Sequence, residues 1–258
     1  MKNFKNILIA LVVGIIVIAV IAMLCKDGEK DINTQNEESK EKLIMVTEAG
    51  FAPYEFYDGE EIVGVDVEIA KKIAEKAGKE LEIKDTDFDS IINEVKTGKA
   101  DFAAAGLSIT EERLEEVDFS VEYAVSKQVI IVKNESEAES IEDFNGKKVA
   151  VQLGTIADLV LSDENPEIEL VQHKKYLLAV EDLKADKVDA IVLDSLPAEE
   201  IVSKNPELKI LEKELLTDKY GIAVQKGNTE LLETINEVLQ ELMDNNKIEE
   251  YTVKYLGE

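Results

Sequence analysis

At 258 residues, 45% of them apolar, the chain is long enough for one large or two ordinary globular domains and too apolar to be disordered throughout. Its 29 basic against 56 acidic residues give a formal charge of −27. That balance argues against nucleic acid as a partner, because affinity for phosphates rests on Lys and Arg; the acids are scattered among lysines, as on a solvated surface. One cysteine, Cys25, and one histidine, His173, leave no intramolecular disulfide and no Cys-rich or multi-His metal site. They also leave very little for nucleophilic catalysis, so no enzyme, metal or cofactor is expected. His173, in the polar run Gln172-His173-Lys174-Lys175, is expected on the surface.

Lys2 and Lys5 precede an uncharged apolar run from Ile7 to Leu24, and polarity flips at Lys26-Asp27. A positive flank stays inside, so the remainder is expected outside the cytoplasm, at the cell surface or in the periplasm. The run is long for a cleaved signal and just long enough to span a bilayer, so residues 1–25 fit a signal peptide or a membrane anchor. Cys25 falls where a lipoprotein carries its lipidated cysteine, although Leu24 is larger than the small residue expected before it. A lipid on Cys25 and an uncleaved helix both fit. Residues 26–42 are almost entirely polar, with Ile32 the only aliphatic side chain; such a segment buries too little to offset its ordering entropy and is expected to be a flexible linker.

Leu43 to Val46 reads as a buried strand that ends in a loop at Thr47 to Gly50. Val65, Ile69, Ala70, Ile73, Ala74 and Ala77 recur at helical spacing, with Asp66 near the start and Gly78 at the end. The unit repeats: a strand at Leu81 to Ile83, a helix carrying Ile91, Ile92 and Val95, and a buried strand at Phe102 to Ala105. After the apolar run Val129 to Val132 the acidic stretch Asn134 to Glu142 interrupts the pattern, and a second series follows, with strands at 149–151, 170–171 and 190–193 and helices at 157–161 and 176–183. Tyr220 to Val224 reads as one further strand, and 231–243 and 248–255 as terminal amphipathic helices. Alternating strands and helices imply an α/β fold whose parallel sheets are covered on both faces.

Ligands of open α/β sheets bind beyond the carboxyl ends of the strands. Glu48, Ser108, Gln152, Thr155 and Asp194 all follow predicted strands, which favours one shared cleft. A free amino acid is a zwitterion, and a site that dries it must supply a donor fork for the carboxylate and an acceptor for the ammonium. Arg113 and Asp194 are the candidates. Each also has a plainer role open to it: Arg113 as an ion-pair partner for Glu112 or Glu116, and Asp194 as the cap of the helix entered through Leu196-Pro197. Phe51, Tyr54 and Phe88 could stack on a ligand side chain, with a place in the core the preferred role for Tyr54.

The segments Thr47 to Phe56, Gly64 to Val67, Gly106 to Arg113, Asp118 to Ser120, Gly146 to Thr155, Val192 to Ser195 and Tyr220 to Val224 together resemble the polar amino-acid-binding proteins of ABC importers, the family 3 extracellular solute-binding proteins. The resemblance runs from Lys42 to the C-terminus. It implies a two-lobed type II periplasmic-binding-protein fold, with lobe 1 at 43–125 plus 220–258, lobe 2 at 126–219, and crossings near 123–127 and 217–220. It further implies that Arg113 clamps the ligand carboxylate with Ser108 and Thr155, that Asp194 accepts the ammonium beside the Gly106 carbonyl, and that Phe51 and Phe88 form aromatic walls. Glu48 and Gln152 fall where the family reads the ligand side chain; an acid at Glu48 suits a cationic side chain and also suits a polar neutral one. Ile156 stands where the family often has a second glycine, which narrows the pocket.

The implied function is capture of a free amino acid by hinge closure and delivery to a membrane permease, by a monomer tethered to the membrane. Two alternatives use the same fold: a sensory module that needs a membrane partner for its output, and a dehydratase, for which Glu48 would be the acid or base.

Overall fold

The computed structural model describes residues 41–256. The expected signal or anchor, Cys25 and the expected linker up to residue 40 lie outside the described residues. The described residues group as one compact unit.

The chain opens with β1 (Lys42–Thr47), followed by a small antiparallel sheet of β2 (Gly50–Phe51), β3 (Glu55–Asp58) and β4 (Glu61–Val63). Helix α1 (Val65–Ala77), β5 (Glu80–Asp85), α2 (Ile91–Lys96), β6 (Phe102–Ala103), α3 (Glu111–Glu116) and β7 (Val117–Phe119) come next. The second half contains β8 (Ala124–Lys133), β9 (Lys148–Gln152), α4 (Ile156–Glu164), β10 (Glu169–His173), α5 (Tyr176–Lys184), β11 (Ala190–Asp194), α6 (Ser195–Lys204), β12 (Leu208–Ile210) and β13 (Leu216–Tyr220). It ends with β14 (Ala223–Gln225), α7 (Thr229–Asp244) and α8 (Lys247–Leu256).

Two larger sheets result, in the orders β5-β1-β6-β14-β7 and β10-β9-β11-β8-β12, with β13 also paired to β8. Both are mixed, not parallel as the alternating pattern implies: β14 runs antiparallel to β6 and β7, and β8 runs antiparallel to β11, β12 and β13. The short hairpin strands β2 to β4 and the edge strand β7 carry too few apolar residues for alternation to reveal them. The strand expected over Tyr220 to Val224 is two strands, because Gly221 and Ile222 separate β13, in the second sheet, from β14, in the first.

Alternate residues of the central strands enter different cores. Leu43 and Met45 pack with α1 and α7, while Val46 packs with Ile91 and Val95 of α2. Val129 and Ile131 join the first core, while Ile130 and Val132 pack with Ala157 and Leu161 of α4. Strands wetted on neither face read as unbroken apolar runs, which is why they were visible in the sequence.

The segments where the chain is expected to cross between lobes lie side by side. Ala124 to Gln128 of β8 pairs antiparallel with Tyr220 to Leu216 of β13. The fully buried Tyr220 anchors this pair: its carbonyl accepts from Tyr123 N–H at 3.0 Å, and its ring meets Tyr54 edge-on at 5.2 Å. Tyr54 is itself buried, the core role preferred for it.

Asp66 does not cap α1. The first helical N–H groups are taken by backbone instead, Val65 N–H donating to Pro53 O at 3.1 Å and Asp66 N–H to Tyr54 O at 3.0 Å. That close approach needs Gly64, whose φ is 137° and where an added Cβ would lie 2.0 Å from Tyr54 O. Gly64→Ala is expected to destabilise the protein by about 3 kcal/mol, through left-handed strain and loss of these two bonds. Urea unfolding with an unchanged m-value checks this.

Candidate functional site

The carboxyl ends of β1, β6, β9 and β11 open onto one small, nearly closed cavity of about 20 Å³. Its walls include Glu48, Phe51, Phe88, Gly106, Ser108, Gln152, Thr155 and Asp194, all expected from the sequence, together with Glu55 and Ile156. Arg113 stands behind the wall, buried, with its guanidinium carbon 5.6 Å from the centroid of the Phe88 ring. Gly106, at a φ of 52°, brings backbone so close to Phe51 that a Cβ would sit 2.7 Å from the ring.

The loop after β6 enters α3 through Thr110, whose hydroxyl accepts from Arg113 N–H at 3.2 Å. Thr110 therefore caps the helix, and that cap fixes where Arg113 starts. The guanidinium donates to Ser108 O at 2.7 Å and to Gly154 O at 2.9 Å, joining loops from the two sheets. It makes no ion pair with Glu112 or Glu116; Glu116 pairs with Lys96 instead. Burial pushes its pKa down to about 10, against the pull of Asp218, Glu112 and Asp194. Ser108 Oγ bonds to Asp218, a residue that sequence reasoning missed. Thr155 caps α4, accepting from Asp158 N–H, and its hydroxyl donates to Gln152 O at 2.8 Å.

Asp194 occupies the N-cap position of α6 but makes no side-chain cap bond. Its carboxylate accepts from Gln128 Nε2 at 2.7 Å and from Tyr220 Oη. Burial raises its pKa, opposed by the bond from Tyr220. Asp218 is pushed up to about 7 by burial and by the charge of Asp194.

Glu48 is buried but not free. Lys175 pairs with Oε1, and Gln152 Nε2 donates to Oε2 at 3.3 Å while also donating to Lys174 O at 2.9 Å. Burial still raises the Glu48 pKa. Lys175 also stands 3.7 Å from Asp85, and Lys174 pairs with Asp87, so the mouth of the cavity is laced by ion pairs between segments of the two sheets. The acid a dehydratase would need is thus tied to a lysine. His173 is not the surface residue its polar neighbours suggest: only 14% of its side chain is exposed, and Nε2 lies 3.3 Å from Asp182. Its strand, β10, pairs with β9 and turns the ring inward.

Glu55 was missed. It opens β3 and is fully buried; its carboxyl receives no N–H donor among the described residues and lies against the carboxyl of Asp66. In sequence it sits between Tyr54 and Phe56, and the only signal was a charged residue in an aromatic run. Beside it, Asp66 accepts from Gly106 N–H at 2.9 Å and from Tyr123 Oη at 2.8 Å, and burial pushes it up to about 6.

Two loops, one from each sheet, thus converge on a guanidinium that has no carboxylate partner among the described residues. Residues 43–258 match the family model of bacterial extracellular solute-binding proteins, family 3. The chain belongs to this family. It is 34% identical over 227 residues to the arginine-binding extracellular protein ArtP of Bacillus subtilis, covering 86% of this chain and 89% of that one. Among solved structures it resembles AbpA of Streptococcus pneumoniae bound to L-arginine, with a TM-score of 0.81 and 34% identity over 85% of this chain and 96% of that one. It also resembles an ancestral arginine-binding protein bound to glutamine, with a TM-score of 0.79 and 39% identity over 84% of this chain and 98% of that one. The two-sheet α/β architecture is that of the family's type II fold.

The buried carboxyls give the ligand-free protein an unusual pH response. Glu55, Asp66, Asp194 and Asp218 all have folded pKa values above their ordinary ones. The native state therefore binds protons that the unfolded state does not, and stability rises as pH falls from about 7 towards 5. Surface acids held low, such as Glu142, stay ionised across this window and do not oppose the gain. The expected gain is on the order of 2 kcal/mol between pH 7.5 and 5.5, read as a thermal midpoint that moves up by several degrees in calorimetry.

Proposed function

We propose that the chain is the amino-acid-capturing component of an ABC importer, and that Arg113 and Asp194 hold the ligand's carboxylate and ammonium. The observation that carries this is a pair of buried opposite charges without counter-ions, Asp194 in the cavity wall and Arg113 just behind it. Arg113 has no carboxylate partner among the described residues, and the Asp194 carboxylate meets neutral donors, Gln128, Tyr220 and Ser126. A buried charge without a counter-ion costs several kcal/mol, and a zwitterion supplies both counter-ions at once. Ser108, Thr155 and the Gly106 carbonyl assist, with Phe51 and Phe88 flanking the ligand. Relatives that bind arginine, together with the excess of acids around the cavity, favour a cationic or polar side chain.

Residues 43–125 with 220–258 form one lobe in this proposal, and 126–219 form the other, hinged at the paired strands β8 and β13. Ligand docks on the first lobe through Arg113 and Phe51, and closure brings in Gln152, Thr155 and Asp194. The bond from Arg113 to Gly154 and the pairs Lys175–Glu48 and Lys174–Asp87 are then the contacts of the closed form, and closure presents both lobe surfaces to the permease. The protein works as a monomer outside the cytoplasm, tethered through residues 1–42 by a lipid on Cys25 or by an uncleaved helix. No helix among the described residues is long and apolar enough to cross a membrane.

A thermal-shift screen of the full chain against the common amino acids at 1,000 times Kd should raise apparent stability by about 4 kcal/mol for the true ligand. Arginine, lysine, histidine and glutamine head the expected order. Arg113→Ala and Asp194→Ala should each weaken binding at least about 100-fold in calorimetric titrations, because each leaves a ligand charge buried and unpaired. Unchanged titrations would remove these two residues from the site.

A further inference from the structure

Asp218 stands on β13, opposite Ser126 of β8, in the strand pair that joins the two sheets. Three contacts lock the loop after β6 against this strand: Ser108 bridges to Tyr220, Ile109 N–H donates to Lys219 O at 2.9 Å, and Gly221 N–H donates to Leu107 O at 3.1 Å. Ser108 is thereby held where its hydroxyl donates to Asp218 Oδ2. The other oxygen, Oδ1, is buried and receives no donor from another residue among the described ones. The charged groups that face Asp218 are Arg113, from α3, and Asp194, from the end of β11, with the neutral phenols of Tyr54 and Tyr220 nearby. The lysines beside it on the paired strands, Lys219 and Lys127, are taken by Glu122 and Glu214. Asp194 collects side-chain donors from Tyr220, Ser126 and Gln128, and Asp218 has one, Ser108. Of two neighbouring carboxyls shielded from water, the one with fewer donors takes the proton.

A serine hydroxyl has one proton to give. In the proposed capture mode Ser108 gives it to the ligand's carboxylate, and in this structure it gives it to Asp218. It cannot serve two carboxylates at once, and the loop that carries it is pinned to β13, so the conflict is met by a proton and not by a shift of Ser108. We infer that Asp218 is a positioning residue for capture, and that it takes up one proton as the ligand's carboxylate arrives, so that its O–H supports Ser108 Oγ and frees the Ser108 O–H for the ligand. This rests on the reading above that Arg113 and Ser108 receive that carboxylate. One proton passes from buffer to Asp218 Oδ2, the new O–H donates to Ser108 Oγ, and the Ser108 O–H turns to the ligand; no other covalent bond forms or breaks. The ligand's ammonium meets the charge that Asp194 already carries and moves no proton. Neutralising Asp218 also removes a carboxylate that competes with the ligand for the field of Arg113. Burial and the charge of Asp194 hold the Asp218 carboxyl at about 7, so the exchange falls in the neutral range. An acid whose pKa the ligand raises favours binding fully below about pH 7 and progressively less above it.

The test is calorimetric titration of the full chain with L-arginine and with L-glutamine, in buffers of equal pH and different ionisation enthalpy. At about pH 8 the heat of either amino acid that binds should vary with the buffer and correspond to uptake of close to one proton, falling towards none at about pH 6, where Asp218 already holds it. Affinity should be at least about tenfold weaker at about pH 8.5 than at about pH 6.5. Asp218→Asn, whose amide N–H donates to Ser108 Oγ as the neutral acid would, should show no proton uptake and less than about threefold change over the same range. At about pH 8.5 this variant should bind about tenfold more tightly than the unmodified protein, whereas loss of a merely structural residue weakens binding at every pH. Binding without proton uptake at about pH 8 in the unmodified protein would overturn the inference while leaving amino-acid capture intact, as would Asp218→Asn binding more weakly than the unmodified protein at about pH 8.5. Failure of both amino acids to bind at every pH would overturn both readings.

Discussion

Acids are buried here in greater number than the cations that could match them, and this imbalance organises the molecule. Glu48, Glu55, Asp66, Asp158 and Asp194 are buried, and Arg113 is the one buried cation among the described residues. Each acid survives burial by a different device. Glu48 borrows Lys175 from the rim, and Asp158 takes Gln172 Nε2 and Gly154 N–H. Asp66 is held by a backbone amide and a phenol, and Asp194 by an amide and a phenol. Glu55 has only the neighbouring carboxyl of Asp66 among the described residues, and burial raises its pKa well above the ordinary range. A cavity whose walls are short of positive charge is electrostatically incomplete, and a ligand that supplies the charge stabilises the structure as it binds.

The fold concentrates this imbalance in one place. Parallel strands β1, β6, β9 and β11 end at a common edge of their sheets, so the residues that follow them share a cavity although more than a hundred positions separate Glu48 from Asp194. The paired strands β8 and β13 then tie the two sheets where Tyr220 sits. That single side chain touches Tyr54 and Tyr123 on one side and holds Asp194 on the other. Asp194 and the inter-sheet connection are consequently adjacent, joined through the one phenol of Tyr220.

Arg113 illustrates why a structural role and the proposed ligand role are compatible in one residue. Thr110 caps its helix, which places its backbone, and its guanidinium then reaches carbonyls of loops from both sheets. A guanidinium has five N–H donors in a rigid fork, so two carbonyl contacts leave donors for an anion. The ordinary reading of Thr110 as a cap and the functional reading of Arg113 as a clamp are compatible, because the first sets up the second.

Much of this was legible in the sequence, and the remainder was not, for a definite reason. The long central strands and the amphipathic helices α1 and α7 are visible because doubly buried strands are continuous apolar runs and half-buried helices repeat every three or four residues. The strand-end polar residues Ser108, Gln152, Thr155 and Asp194 are visible because a polar side chain just after a buried run marks a loop at the sheet edge. Strand direction, the break of 220–224 into two sheets and the inward turn of His173 depend on pairing partners far away in the chain, which local pattern does not encode. Glu55 was hidden for the same reason. Its sequence neighbours are ordinary, and what makes it distinctive is full burial against a second carboxyl, that of Asp66, eleven positions away. Composition and local pattern alone determined that this is an acidic α/β protein with polar residues gathered at strand ends. Only the tertiary structure decided which of those charges are satisfied and which are left for a ligand, because satisfaction is a property of distances between residues remote in sequence.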